Sequence, residues 1–183
     1  MGSAEDGLYL QLLVVRCQLG DRGAFEQILS VCQPRLRAYL HKMLHGSHEV
    51  DDVAQEVWGD VFRDLGTLEK PASFLPWLYR IAHNRAARLM RSAPPKTVSL
   101  EDLTVAGEAD ETIEFSADDA RAVHDALARL SDIHREVLLL RFLEDMSYED
   151  ISEVLQCPVG TVRSRIHHAK AALKLVLETV RQP

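Results

Sequence analysis

The sequence predicts an all-α protein made of two small helical domains joined by a linker. Apolar residues recur at spacings of three and four along most of the chain, which is the period of an amphipathic helix. The runs of four to eight β-branched residues that strands need are missing from the sequence. An acidic stretch after Pro94-Pro95 interrupts the periodicity, and a length of 183 residues allows two small domains.

The first predicted domain covers residues 1–91 and contains four helices. Asp21 is the expected cap of the first helix, and Pro34 suits the first turn of the second. The third helix follows His45-Gly46-Ser47, and the fourth follows a loop and a capping Ser73. The core-facing positions expected in the last two helices are Val50, Val53, Ala54, Val57, Trp58, Val61, Phe62, Leu65, Phe74, Trp77, Leu78, Ile81, Ala82 and Leu89.

The net charge of −7 is concentrated in the predicted linker, residues 92–120. This segment has eight acidic side chains and one lysine, so the rest of the chain is neutral overall. Its acidity and its few aromatic residues indicate a flexible tether. Basic residues cluster elsewhere: Arg80 to Arg91 contains four arginines and no acid, and Val159 to Pro183 contains five basic residues and one acid. Such local basic stripes indicate contact with phosphates.

The second predicted domain, residues 121–183, ends in a helix-turn-helix pattern. Ser131 is the expected cap of a helix that contains Val137, Leu138 and Phe142. Ser147 caps a short helix, with Asp150 in the capping-box position. A turn over residues 156–158 precedes a long helix with a basic outer side. Such a helix fits the DNA major groove, although an ordinary helical hairpin with a solvated basic side has the same pattern.

Several motifs resemble those of bacterial extracytoplasmic-function sigma factors, most closely the sigma-E branch. The segments Met146 to Ile151 and Cys157 to Ile166 resemble region 4 of that family. The segment Asp51 to Trp58 resembles region 2.2. The segment Phe74 to Asn84 resembles regions 2.3 and 2.4, and the segment Leu19 to Glu26 resembles the beginning of the family's sequences. The resemblance spans roughly residues 15–91 and 121–178, in the family's order.

This resemblance implies a non-enzymatic subunit that binds core RNA polymerase, recognises the −35 and −10 promoter elements, assists promoter melting and directs transcription initiation. Region 2.2 docks on the clamp helices of the polymerase's largest subunit. The matching positions form an acidic ridge opposite an apolar stripe, which could also be a plain solvated surface. The implied polymerase contacts are Asp51, Asp52, Gln55 and Glu56.

The fourth helix, by the same resemblance, captures an unstacked base of the −10 element together with the loop from Thr67 to Phe74. Basic side chains follow phosphates, and amide or aromatic groups read or stack on extruded bases. Trp77 fits a core anchor better than a stacking platform, because its spacing matches that of Phe74 and Ile81. The implied −10 contacts are Ser73, Arg80, His83, Asn84, Arg88 and Arg91, with Tyr79 beside them.

The last helix would read the −35 element. The implied contacts are Thr161, Arg163, Ser164, Arg165, His167, His168 and Lys170. The sigma-E branch tends to have an aromatic residue and an arginine where His167 and His168 stand. Neutral imidazoles attract phosphate less than arginine does, so we expect an altered −35 preference or a pH-sensitive grip.

The expected partners are core polymerase (the clamp helices and the flap of the second-largest subunit), promoter DNA and an anti-sigma factor. The linker would thread toward the polymerase cleft, although a plain tether is nearly as consistent with its composition. We expect no cofactor, small-molecule substrate or membrane insertion, and a cytoplasmic location. The amino terminus lacks the basic region and apolar core of a signal peptide.

Other functions fit less well. His41, His45 and His48, with Cys32 upstream, invite a metal site, but no fourth ligand has suitable spacing. No motif of a catalytic site is found in the sequence. The principal alternative is a helix-turn-helix regulator that binds an operator as a dimer, and the acidic ridge argues against it. A helical adaptor that does not bind DNA is a third interpretation.

Overall fold

The computed structural model describes residues 4–92 and 119–181, and within these ranges every regular element is helical. The predicted all-α fold with two helical domains is confirmed. Four helices form an amino-terminal group and four form a carboxy-terminal group. The helices are α1 (Ala4–Gln18), α2 (Arg22–Met43), α3 (Val50–Asp64), α4 (Phe74–Ser92), α5 (Asp119–Arg129), α6 (Asp132–Leu138), α7 (Tyr148–Leu155) and α8 (Val159–Arg181).

Helix α1 was not expected from the sequence. Its apolar residues are spread around the helix: Leu10, Leu13 and Val14 are buried against α2, whereas Leu8 and Leu12 are exposed. A helix that is apolar on several sides lacks the one-sided pattern that reveals amphipathic helices. The spacing of apolar residues in the sequence therefore did not predict α1, although this helix is part of the amino-terminal group.

Helix α2 corrects the expectation of two helices divided at Pro34. The predicted cap is confirmed, since the Asp21 carboxylate accepts a hydrogen bond from the Ala24 amide at 3.2 Å. The helix then continues through Pro34 to Met43. Ile28 before the proline and Leu36 after it are both fully buried. Burial of one continuous apolar stripe outweighs the helix hydrogen bond that proline removes.

Helices α3 and α4 pack against each other and supply much of the core of the amino-terminal group. All but one of the predicted inward positions of α3 are buried. The exception is Phe62, which is 70% exposed and makes an edge-to-face contact with Phe25 at 5.2 Å between ring centroids. Two 310 turns, Leu65–Thr67 and Pro71–Ser73, connect the two helices.

The carboxy-terminal group contains a π-helical turn, Leu139–Leu143, directly after α6. Ser131 caps α6 as predicted, since its hydroxyl accepts from the His134 amide at 3.4 Å. The wider turn changes the register of the following side chains. Phe142 is 61% exposed, while Leu139 and Leu140 are buried.

The two helix groups are in direct contact, because α4 packs along α7 and α2 touches α6. The sequence did not indicate whether the groups pack together. The predicted linker, residues 92–120, lies outside the described residues except at its two ends.

Candidate polymerase and nucleic-acid interfaces

The acidic ridge lies on the solvent side of α3. Its four predicted contact residues, Asp51, Asp52, Gln55 and Glu56, are all exposed. Arg37 of α2 pairs with Asp51 at 2.6 Å, and Arg85 of α4 pairs with Glu56 at 2.7 Å. Among the described residues, Asp52 has no ion pair within 4 Å. The ridge therefore presents a net acidic surface that is held in place from both sides.

Arg85 fixes α4 to the ridge, a role the sequence did not reveal. Its guanidinium donates to Asp60 from Nε at 2.7 Å and from Nη2 at 2.5 Å, besides its bond to Glu56. Burial alone would raise the pKa of Asp60, but hydrogen bonds from Arg85 and Arg63 outweigh it and lower that pKa. Arg85 lies in the arginine-rich stretch, yet it faces α3, whereas the proposed DNA contacts lie elsewhere on α4.

The predicted −10 contacts follow one side of α4. Asn84, Arg88 and Arg91 are exposed, Arg80 and His83 are half-buried, and Ser73 lies in the turn before the helix. Spacings of three and four residues place the helical positions on one side. This side is basic and includes an amide and an imidazole, which suits phosphate contact and base recognition.

A cavity of about 390 Å³ opens beside the start of α4. Both the loop predicted to capture a base and one residue of α7 line it. Trp77 contributes one wall and packs on Phe74 at 6.1 Å between ring centroids. The lining residues are Thr67, Leu68, Glu69, Lys70, Ser73, Pro76, Trp77, Arg80 and Glu153.

Tyr79 does not belong to the outer side of α4, where the sequence placed it. It is 2% exposed and packs edge-to-face on Tyr39 at 5.2 Å between ring centroids. Burial raises its pKa, and the nearby Glu144 carboxylate raises it further. Contact with the carboxy-terminal group explains the difference, since Glu144 belongs to that group.

The helix-turn-helix is formed by α7 and α8. The predicted capping box is confirmed: the Ser147 hydroxyl accepts from the Asp150 amide at 3.0 Å, and the Asp150 carboxylate accepts from the Ser147 amide at 3.1 Å. Gln156 ends α7 with a φ of 49°. The Ser152 hydroxyl donates to the carbonyl of Cys157 at 2.6 Å. These bonds fix the turn between the two helices.

The predicted −35 residues in the first turns of α8 differ in their exposure to solvent. Arg163 and Ser164 are exposed, and Thr161 is half-buried. Arg165 is also half-buried, and its guanidinium reaches the Cys157 sulfur at 3.7 Å. The side chains with the greatest access to a groove are therefore Arg163 and Ser164.

Farther along α8, two histidines and a lysine make contacts within the protein. The rings of His167 and His168 are 5.6 Å apart in an edge-to-face arrangement. The Lys170 ammonium lies over the ring of Phe142 at 5.6 Å. The exposed Phe142 ring therefore borders the basic side of α8.

Within the ranges 4–92 and 119–181, no three His, Cys, Asp or Glu side chains are grouped so that they could hold a metal ion. None of the described helices is long and apolar enough to cross a membrane.

Both helix groups match known protein families. Residues 29–94 match the family described as Sigma-70 region 2, and residues 120–173 match Sigma-70, region 4. The chain is 36% identical over 181 residues to the RNA polymerase sigma-H factor of Pseudomonas aeruginosa, covering 92% of this chain and 93% of the relative. It is 34% identical over 176 residues to the ECF RNA polymerase sigma-E factor of Haemophilus influenzae, covering 90% and 93%.

Two solved structures share the fold. CnrH, in complex with the cytosolic domain of CnrY, has a TM-score of 0.70 and 23% identity, covering 93% of this chain and 98% of CnrH. The sigma factor RpoE of Bartonella quintana, in complex with the anti-sigma factor NepR, has a TM-score of 0.65 and 24% identity, covering 86% and 98%. With both sigma regions present in the family order, the chain belongs to the sigma-70 family and is a sigma factor of the extracytoplasmic-function type.

Proposed function

We propose how the activity of a sigma factor is divided over this chain. Residues 1–91 bind core polymerase and the −10 element, residues 92–120 connect the two domains, and residues 121–183 bind the −35 element. This division is supported by one observation: an acidic surface on α3 is separate from the basic surfaces on α4 and α8. A protein partner and two DNA segments can then be bound by different surfaces.

The acidic ridge of α3 is the proposed docking surface for the clamp helices of the polymerase's largest subunit. Arg37 and Arg85 hold Asp51 and Glu56 in place, and Asp52 and Gln55 lie exposed between them. Charged surfaces of this kind steer association and select the partner. The carboxy-terminal group would contact the flap of the second-largest subunit.

The basic side of α4 is the proposed −10 surface, and the cavity beside it is the proposed site for an extruded base. Its lining includes Ser73 and Arg80, which can donate hydrogen bonds to a base or a phosphate. Melting would then be driven by binding an unpaired base, without nucleotide hydrolysis and without any catalytic residue or cofactor in this subunit.

The exposed start of α8 is the proposed −35 reader. Arg163 and Ser164 lie where a recognition helix contacts base edges, and the later basic residues are suited to phosphates. We also propose a cytoplasmic location and control by an anti-sigma factor. The latter is supported by relatives of this fold that are bound to CnrY or to the anti-sigma factor NepR.

Run-off transcription tests this division. Core polymerase is combined with the protein on a library of random promoter fragments. Asp52→Arg and Arg163→Ala are compared with Glu26→Arg and Arg129→Ala, which change the charge by the same amounts at exposed positions outside the proposed surfaces. We expect Asp52→Arg to abolish defined starts by preventing core binding, and Arg163→Ala to change or weaken the −35 preference.

Two outcomes would count against the proposal. If Asp52→Arg binds core polymerase as tightly as Glu26→Arg, the ridge is not the docking surface. If the core stays silent while the protein still shifts particular duplexes, the protein would act as an operator-binding regulator. The family assignment disfavours that second outcome, because both polymerase-associated sigma regions are matched.

A further inference from the structure

One large aromatic side chain is exposed beside the proposed −35 reader. Phe142 belongs to the π-helical turn Leu139–Leu143 and is 61% exposed, whereas Leu139 and Leu140 of the same turn are buried. A single exposed apolar residue is common on protein surfaces and needs no function. Phe142 differs from that ordinary case, because a charged side chain of α8 lies over its ring.

That charged side chain is Lys170, which is half-buried. Its Nζ lies 5.6 Å from the centroid of the Phe142 ring. A ring attracts a cation over its face at distances up to about 6 Å. Among the described residues, no carboxylate lies within 4 Å of the Lys170 ammonium. The Phe142 ring is therefore the contact that orients this ammonium.

Lys170 lies on the side of α8 that carries proposed −35 contacts. Arg163, His167, Lys170 and Lys174 follow one another at intervals of four, three and four residues, which places them on one side of the helix. Arg163 and Lys174, at the two ends of this row, are exposed. A recognition helix uses its first residues for base edges, and basic residues farther along contact phosphates. Lys170 is therefore placed for a phosphate beside the −35 element.

The flexibility of lysine gives the ring a role in such a contact. The four-carbon stem of a lysine must lose rotamer freedom before its ammonium can bind a phosphate at a fixed position. An ammonium that already lies over a ring has lost part of this freedom before DNA binds. The ammonium has three N–H donors, so contact with the ring still leaves donors for a phosphate oxygen.

An aromatic ring is better suited to this task than an acidic side chain. A carboxylate at position 142 would also hold the ammonium of Lys170, but it would repel the phosphate that the lysine is to bind. The ring of Phe142 attracts the cation and adds no negative charge to the DNA-facing surface. Phe142 can thus order Lys170 without weakening the attraction of α8 for DNA.

We propose that Phe142 is a positioning residue for −35 binding, because its ring holds the ammonium of Lys170 where that group contacts a DNA phosphate. This inference rests on the proposed −35 role of α8 and adds a residue from outside that helix. The ligand is the phosphate backbone of the promoter. Phe142 should therefore contribute to affinity for every duplex and leave the choice of sequence unchanged.

Fluorescence anisotropy measures this contribution at several salt concentrations, with holoenzyme formed from core polymerase and the full chain on a labelled duplex that contains the −35 element. We expect Phe142→Ala to weaken binding by about two- to fivefold, the size of an exposed cation–π contact. The slope of log affinity against log salt concentration should become shallower by up to about one, the change expected when a lysine–phosphate contact is lost. Phe142→Tyr keeps an aromatic ring and should bind like the wild type, whereas Phe142→Leu keeps only apolar bulk and should resemble Phe142→Ala.

Lys170→Ala tests whether the ring acts through the lysine. If it does, Phe142→Ala should cause little further loss of affinity when Lys170 is already alanine. The control is Leu143→Ala, which truncates the next exposed residue of the same turn and should bind like the wild type. Circular dichroism checks the helicity of each variant. If Phe142→Ala loses helicity, the comparison of Phe142→Tyr with Phe142→Leu takes its place.

Three results would overturn the proposal. They are wild-type affinity and salt dependence for Phe142→Leu, additive losses from Phe142→Ala and Lys170→Ala, and a weaker affinity of Phe142→Ala with an unchanged salt slope. The last result would assign the ring to a base or to polymerase.

Arg163→Ala separates this inference from the proposed function. If Arg163→Ala weakens binding and Phe142→Ala does not, α8 binds the −35 element and Phe142 has no part in it. If neither variant weakens binding, α8 is not the −35 reader, and both proposals are wrong.

Discussion

The guanidinium of Arg85 on α4 donates two hydrogen bonds to a single oxygen of Asp60 on α3. A third bond from the same guanidinium reaches Glu56, one helical turn earlier on α3. The helix proposed to bind DNA is thereby fixed to the helix proposed to bind polymerase. Core docking and −10 recognition would then depend on one shared contact.

Replacing Arg85 with alanine should lower the free energy of unfolding by about 1–2 kcal/mol, since hydrogen bonds to charged groups contribute about 1.5–3 kcal/mol and this group is partly solvated. Urea denaturation measures the change. The control is Arg88→Ala, because Arg88 is exposed on the same helix. Equal stability of the two variants would show that the Arg85 contacts contribute little.

Asp60 should make the free energy of unfolding depend on pH below about pH 5. Its pKa is lower in the folded protein than in the unfolded chain, whose value is about 3.9. The stabilisation is therefore fully present above about pH 5 and is lost as the pH falls through the folded-state pKa. We expect the stability difference between wild type and Asp60→Asn to shrink as the pH is lowered from 5 to 3. A constant difference over that range would contradict the lowered pKa.

Pro34 lies in the interior of α2 with its ring exposed. The residue has no amide hydrogen, so the carbonyl of Ser30 loses its helical partner. Pro34→Ala should therefore raise the free energy of unfolding by about 1–3 kcal/mol, given the difference in helix propensity between the two residues. Thermal and urea unfolding check this. Destabilisation would show that the proline adapts α2 to its neighbours.

Local signals in the sequence were sufficient where a helix has one apolar side and a capping residue. The burial of Val53, Val57 and Val61 in α3 and the caps at Ser131 and Ser147 follow from such signals. The family motifs further indicated which surfaces would be functional. The placement of the exposed residues on α3, α4 and α8 required only helix geometry and this pattern.

The remaining features depend on contacts between distant residues. The buried Tyr79 faces Glu144, which lies 65 positions later in the chain, and no local pattern indicates that pairing. The π-helical turn that exposes Phe142 also has no cap or spacing signal. The arginines at 80, 85, 88 and 91 look alike in sequence, and only the position of α3 selects Arg85 for a structural role.

Arg163 and Arg165 should differ in their effects on −35 binding. Arg163 is exposed at the start of α8, whereas Arg165 is half-buried against the Cys157 sulfur. If Arg163 contacts a guanine edge, Arg163→Ala should cost about 1–3 kcal/mol on the preferred duplex and relax selection at one base pair. Arg165→Ala should weaken all duplexes more evenly and also loosen the turn. Fluorescence anisotropy on duplexes enriched by the transcription assay, with single base-pair changes, measures both. A uniform loss of affinity with Arg163→Ala would assign that residue to a phosphate and remove it from base recognition.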